Sequence, residues 1–360
     1  MAEVAGGARG WSVDAYRPGD EHEILALFNS GFGQARTLAT WYWRFRDNPL
    51  GGPLASVARR DSDGRLVGTY MCLPFRLNVS GRALPAAQVV DLVVHPDHRR
   101  QGMFERMARH SYEQLGALGY RAEVAFPNPT AMSYPGFTRT LGWSPLSTIR
   151  RTGAQLDLGR PLRRLLRLPW LADAVNAAGR VRLARALERR RRASARAGFE
   201  FRTCPAAPEG CDRLWDACRE SQGLSFWKDA GYLRWRYDAN PDHDFTYGCL
   251  TRAGELVALA VALERDDAAI LCELLVAGRD LAAGRGLVAE MCGLAFRRRM
   301  RSISYYGHDD GYLASVLEGF STARDPENVL VGHPLAGDAR VAMSPAQARW
   351  TIAYGDADFV

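Results

Sequence analysis

The stretch Val89–Met107, VVDLVVHPDHRRQGMFERM, holds the residues whose types and spacing best suit chemistry. It opens on the apolar run Val89-Val90-Asp91-Leu92-Val93-Val94, rich in β-branched side chains, which predicts a strand buried on both faces. Pro96 ends that strand. Arg99-Arg100-Gln101-Gly102 follows, and Met103 and Met107 then open a helical pattern. A strand, a basic loop with a glycine and a helix N-terminus together make an anion site. Unpaired N–H groups point outward there, and the helix dipole adds partial positive charge. The natural occupant is a phosphate or pyrophosphate. A nucleotide P-loop fails, because no Gly-Lys-Ser/Thr follows the loop. The plain alternative is a strand–loop–helix unit whose arginines are merely solvated.

Val-His-Pro followed by Arg-x-x-Gly resembles the pyrophosphate loop of the GCN5-related N-acetyltransferase superfamily (GNAT). In that family Arg/Gln-x-x-Gly-x-Gly/Ala holds the pyrophosphate of acetyl-CoA. The resemblance implies that Leu92, Val93 and Val94 present main chain to the pantetheine. It places Arg99, Arg100, Gln101, Gly102, Met103 and Phe104 around the pyrophosphate. Phe104 stands where a small residue is usual and is expected to crowd the first helical turn. Asn128 and Ala131, with Gly142-Trp143, resemble the family's motif B and add Asn128 to the cofactor residues. The implied cosubstrate is acetyl-CoA, and the implied partner is a small-molecule primary amine, an amino sugar being one candidate.

Acyl transfer from a thioester needs a base for the amine, since an alkylammonium with pKa near ~10.4 is inert at neutral pH. It also needs an N–H facing the developing oxyanion and a proton for the departing thiolate. Asp91 is the candidate base; the alternative is a capped or salt-bridged carboxylate inside the sheet. Glu123, on the next strand, is the runner-up. His95 and His98 read as loop residues. The family places a tyrosine acid where this chain has Thr138, so Tyr134, one turn earlier on the same helix face, is the candidate acid.

The elements that must position these groups follow from the wider pattern. The chain has 360 residues, 47% hydrophobic and 24% charged, enough for two globular domains. No apolar run reaches membrane-span length and Met1–Gly10 shows no signal peptide, which reads as cytoplasmic. Seven cysteines without Cys-x-x-Cys spacing read as reduced thiols, with no metal site expected. The net charge of +7 rests almost wholly on arginine, Lys228 being the sole lysine; it suits an anionic cofactor and does not by itself indicate nucleic acid.

Strands are expected at Trp11–Tyr16, Leu54–Arg60, Leu66–Phe75, Ala87–Val94, Ala122–Phe126 and near Ser147–Arg151, with helices at Glu21–Phe32, Thr37–Asp47 and beyond Gly102. That order is the GNAT order. From Phe199 the pattern restarts: Trp235-Arg236-Tyr237…Asn240-Pro241 matches Trp43-Arg44-Phe45…Asn48-Pro49, an internal repeat. Where the first copy has Arg99–Gly102, the second has Gly278–Gly284 with Asp280 in the place of an anion. The expected fold is therefore α/β, a mixed sheet repeated as two tandem GNAT folds, the second degenerate, joined by an Arg-rich helical linker. The expected divisions are 8–152, 153–198 (linker), 199–345 and a tail, 346–360.

The linker is expected to pack its apolar stripe on the domains; a lipid- or nucleic-acid-binding face is the alternative. The tail is expected to fray, the alternative being that it folds back to recognise a cationic amine. The helical aromatics Trp41, Trp43, Trp235 and Tyr237 are expected in the core. The function that fits is an acyl-CoA-dependent N-acetyltransferase acting by direct attack in a ternary complex. The rivals are a FemABX-like aminoacyl-tRNA-dependent transferase and a non-catalytic acyl-CoA-binding module.

Overall fold

A computed structural model describes residues 10–166, 168–308, 311–344 and 349–357. In chain order the first elements are β1 (Trp11–Ala15), α1 (Glu21–Phe32), α2 (Leu38–Trp41), β2 (Leu54–Arg60), β3 (Leu66–Val79), β4 (Arg82–Val94), α3 (Met103–Ala117), β5 (Ala122–Ala125), α4 (Ser133–Pro135) and β6 (Ser144–Gln155). Then come α5 (Gly159–Leu165), α6 (Pro169–Arg196), β7 (Phe199–Cys204), α7 (Cys211–Cys218), β8 (Leu224–Phe226), α8 (Ala230–Leu233), β9 (Phe245–Arg252), β10 (Glu255–Arg265) and β11 (Ala268–Val276). The last are α9 (Leu281–Arg297), β12 (Ser302–Gly307), α10 (Gly311–Val316), β13 (Ser321–Thr322), β14 (Asn328–Pro334) and α11 (Gly337–Ala342).

Two compact units result. One comprises Met1–Leu77, Arg82–Leu146 and Val329–Ala348; the other Asn78–Gly81, Ser147–Asn328 and Arg349–Val360. Both are mixed α/β. The first builds its sheet as β1-β2-β3-β4-β5-β14, and the second as β6-β12-β11-β10-β9-β7. Neither unit is continuous in sequence. The strand expected to close the first domain, here β6, pairs antiparallel with β12, Gly307 opposite Arg150. β14, from late in the chain, pairs with β5, His333 opposite Glu123. The expected division at 152/153 thus falls inside β6. The segment expected as a linker holds the end of β6, α5 and α6, all within the second unit.

The repeat is structural as well as sequential. Thr37 caps α2 by accepting from the Thr40 N–H, and Asp229 caps α8 by accepting from the Tyr232 N–H. Each short helix runs on into a π-turn, Tyr42–Arg46 and Arg234–Asp238, which turns an arginine, Arg44 or Arg236, into the interior. Trp41, Trp43 and Tyr237 are core residues, as expected, and Trp235 packs at the core's margin. Six of the seven cysteines are buried, and all seven are free thiols. Among the described residues no helix is long and apolar enough to cross a membrane.

The tail departs from expectation. Tyr354, Gly355 and Asp356 are buried in the second unit, and the Asp356 carboxylate meets Lys228 Nζ at 2.9 Å. It does fold back on a cation, but the cation belongs to its own chain. Residues 358–360, like 1–9, lie outside the described ones.

Candidate acyl-CoA site in the first unit

β4 places the site because it outruns its neighbour. The parallel ladder with β5 covers Ala86↔Ala122, Ala87↔Glu123 and Gln88↔Val124 and stops there. β4 continues six residues further, to Val94, so its peptide groups run past β5 without partners from it. A bulge at Asp91, held at φ 45, sets which side chains face which way. Val89, Leu92 and Val94 pack with the cluster under α3. Val90, Asp91 and Val93 turn to the α1–α2 side, Val93 against Leu27 and Phe28. The Thr69 hydroxyl donates to the Asp91 carbonyl at 2.9 Å and fixes the bulge.

Beyond the strand the chain makes a tight crook. The His95 ring accepts from the Asp97 N–H, and Arg99 Nε donates back to the Val94 carbonyl at 3.3 Å. Arg100 (φ 61) and Gly102 (φ 79) then take the left-handed conformation that turns the loop into α3. The Gln101 side chain accepts from Trp11 Nε1 at 3.1 Å and ties the loop to β1. Arg106 makes the first full-turn bond, to the Gly102 carbonyl at 3.2 Å. The N–H groups of Met103, Phe104 and Glu105 precede it, at the positive end of a 15-residue helix. A Cβ added at Gly102 would meet no atom within 4 Å, so the mouth of the crook is open.

Phe104 does not crowd this mouth. Its ring lies over Gly136, where a Cβ would come within 3.1 Å, and meets Phe137 edge-on at 5.6 Å. The large residue is accommodated by a glycine on the neighbouring helical segment. Met103 is buried and anchors the turn, while Arg99, Arg100 and Gln101 are exposed. Asn128 is exposed too, and its Oδ1 accepts from the Thr130 N–H and hydroxyl, shaping the turn after β5.

The candidate catalytic groups sit on two sides of the sheet. Asp91 is buried; Arg36 Nη1 reaches its Oδ1 at 2.6 Å and Arg44 Nη2 the same oxygen at 3.7 Å. Its Oδ2 accepts no hydrogen bond among the described residues. Arg36 is itself held, its guanidinium 4.1 Å from the Phe28 ring centre and its backbone bonded on both sides to Asn29. Tyr134 is half-buried in the α3-side cluster, and the Thr138 hydroxyl donates to its carbonyl.

Glu123 is fully buried under α3, bonded by Ser111 at 2.7 Å, Tyr70 and Cys72. Burial, only partly offset by these bonds, pushes its carboxyl from 4.5 to about 8. His95 and His98 are half-exposed loop residues with rings 5.9 Å apart. Sequence reasoning missed Arg36, Arg44 and Gly136. Arg44 had a signal, since the internal repeat preserves an arginine between two aromatics.

The second unit shows what the same frame becomes without this crook. Eight residues join β4 to α3, but only four join β11 to α9. The Asp280 side chain accepts from the N–H groups of Ala282 and Ala283, so the helix start is capped by the chain itself. The β11–β12 ladder stops at Leu271↔Tyr305 while β11 runs on to Val276. Against this splay lies the segment Thr351–Ala357. The Tyr305 hydroxyl donates to the Ile352 carbonyl, and the Arg236 guanidinium donates to the carbonyls of Gly355 and Ala357. Counting back from the strand ends, Glu273 occupies the place of Asp91, and Lys228 Nζ reaches it at 2.6 Å.

Residues 12–146 match the family model for the acetyltransferase (GNAT) domain. The first unit carries a GNAT domain. The whole two-unit chain is similar to solved structures of this class. A protein of Enterococcus faecalis V583 described as a probable N-acyltransferase aligns over 90% of this chain and 73% of its own, at 10% identity and TM-score 0.65. A GCN5-related N-acetyltransferase from Kribbella flavida aligns over 91% and 72%, at 15% identity and TM-score 0.61. A tandem GNAT protein from the clavulanic acid biosynthesis pathway aligns over 91% and 99%, at 16% identity and TM-score 0.54. A sequence search of curated proteins found no match. At these identities the likeness establishes a tandem GNAT fold.

Proposed function

We propose that the GNAT domain transfers an acyl group from acetyl-CoA to the primary amine of a small molecule, an amino sugar being one candidate. The observation that carries this reading is the pairing of an open crook of N–H groups at Gly102–Glu105 with a strand that outruns β5. The amides, with Arg99 and Arg100, hold the pyrophosphate. Leu92, Val93 and Val94 offer peptide groups to the pantetheine, and an N–H from this strand faces the thioester oxygen. Gln101, Met103, Phe104 and Asn128 shape the pocket around them.

The Asp91 carboxylate takes the proton as the amine nitrogen attacks the thioester carbon. Its Oδ2 is the available oxygen, while Arg36 and Arg44 orient it through Oδ1. The carbon–sulfur bond then breaks, and the Tyr134 hydroxyl protonates the departing thiolate. An amide and free CoA result.

Calorimetry with acetyl-CoA tests the binding step. Wild type is expected to bind one equivalent, and Arg99→Ala/Gly102→Asp to weaken binding about 30-fold or more through loss of charge-assisted bonds and added repulsion. Absence of wild-type binding would overturn the proposal. With an amine substrate in hand, Asp91→Asn is expected to lower kcat about 100-fold or more with little change in KM for acetyl-CoA.

A further inference from the structure

Half of the large apolar side chains left exposed among the described residues lie in one short stretch. Leu158, Leu165, Leu168, Trp170, Val175 and Val181 are six of twelve, and Leu165 and Trp170 stand out at 79% and 67% exposed. A surface of this kind marks an interaction site.

The stretch belongs to α5 and α6. α6 has 28 residues and so runs about 42 Å. One of its faces is spent inside the second unit: Leu183 and Leu187 pack on the core, Ala172 is buried, and Ser194 comes so close to Gly286 that a Cβ there would meet its Oγ at 2.7 Å. Of the stripe expected to pack on the domains, Leu183 and Leu187 do so, while Leu165 and Val181 stay exposed. A different face stays bare. Stepping by three or four residues, it reads Trp170, Ala174, Ala178, Val181, then Arg185, Arg189, Arg192 and Arg196, all exposed. The face is apolar over its first half and cationic over its second.

Charge decides the partner. Three carboxylates on or beside these helices are already engaged: Asp173 by Arg163, Asp157 by Arg180, and Glu188 by Arg191 and Arg192. Arg164, Arg182, Arg185, Arg189 and Arg196 are exposed and meet no carboxylate among the described residues. A nucleic acid would use the arginines and could stack a base on Trp170, but it offers no apolar surface to Leu165 and Leu168. An anionic bilayer uses both: apolar side chains enter the acyl boundary, a tryptophan sits at headgroup depth, and arginines reach phosphates.

We propose that the α5–α6 corner and the outer face of α6 dock the protein on an anionic lipid surface. The attachment is peripheral, held by Leu165, Leu168 and Trp170 together with the arginine row, and needs no bound acyl-CoA.

Flotation of the full chain with vesicles tests this. Wild type is expected to float with vesicles of equal parts phosphatidylglycerol and phosphatidylcholine and not with phosphatidylcholine alone, and added salt should release it. Leu165→Ser/Leu168→Ser/Trp170→Ser should cut the bound fraction about tenfold. Arg185→Glu/Arg189→Glu should abolish it, each lost arginine counting about fivefold before repulsion is added. All five positions are exposed, so an unchanged thermal unfolding curve serves as the folding control. The proposal is overturned if wild type does not float with the anionic vesicles or if the variants float as well as wild type. It is equally overturned if the same substitutions abolish binding to duplex RNA or self-association while leaving flotation intact.

Discussion

The two GNAT folds in this chain share a frame and differ in what fills it. Both cap a short helix, run it into a π-turn and bury an arginine; both carry a carboxylate, Asp91 or Glu273, at the same place on the splayed strand. In the first unit the loop after that strand is long, glycine-bearing and open. In the second it is four residues shorter and sealed by the Asp280 side chain, and the splay is met by Thr351–Ala357. The fit is so close that a Cβ on Gly307 would lie 2.5 Å from the Ile352 carbonyl oxygen. In the second unit, groups of the chain itself occupy the places that stay open in the first. The frame needs something in each place, and a carboxylate at a helix start or a backbone segment in a cleft meets the same orphan donors and acceptors that a bound molecule would.

Lys228→Met is the harshest way to break this comparison. It strands Glu273 and Asp356 together in the core without their cation and is expected to cost about 3–5 kcal/mol. Urea unfolding measures it, and a loss under ~1 kcal/mol would show that the buried cluster is not what holds the segment.

The first unit's own buried acid gives the next effect. Burial raises the Glu123 carboxyl to about 8 from 4.5, so the folded state keeps a proton that the unfolded chain releases. Its stabilisation is whole below the unfolded value and declines as pH rises through about 8. Relative to Glu123→Gln, wild type should lose on the order of 4 kcal/mol between pH 5 and pH 9. Parallel curves for the two proteins would refute the buried, protonated state.

Asp280→Ala is the mildest test. Loss of the cap should cost about 1 kcal/mol, and acetyl-CoA stoichiometry should stay at one, because the shorter loop and the occupied splay remain. A second equivalent bound would mean that one carboxylate alone separates the two halves.

Local signals carried far into this fold. β2 was readable to the residue, and the run Val89–Val94 with Arg99–Gly102 behind it marked strand, crook and helix, since β-branched strands and glycine turns are written in neighbouring residues. The Phe104 question could not be answered that way, because the ring's accommodation depends on Gly136, 32 residues on. Nor did the sequence show that Asp91 meets Arg36 and Arg44, or that the tail is buried: Asp356 finds Lys228 across 128 residues. The choice of strand partner was equally hidden. Ser144–Gln155 has a sound strand pattern, but nothing in it says that β12 is its neighbour.

That last feature bears on how the protein comes into being. The strand beside β5 is made some two hundred residues after β5 itself. During synthesis the first sheet must wait, one edge bare, until nearly the whole chain has emerged, and a message cut short anywhere before Val329 leaves it unfinished. A complete first sheet is thereby tied to a complete chain: a fragment that holds every residue of the crook still lacks the strand that pairs with β5.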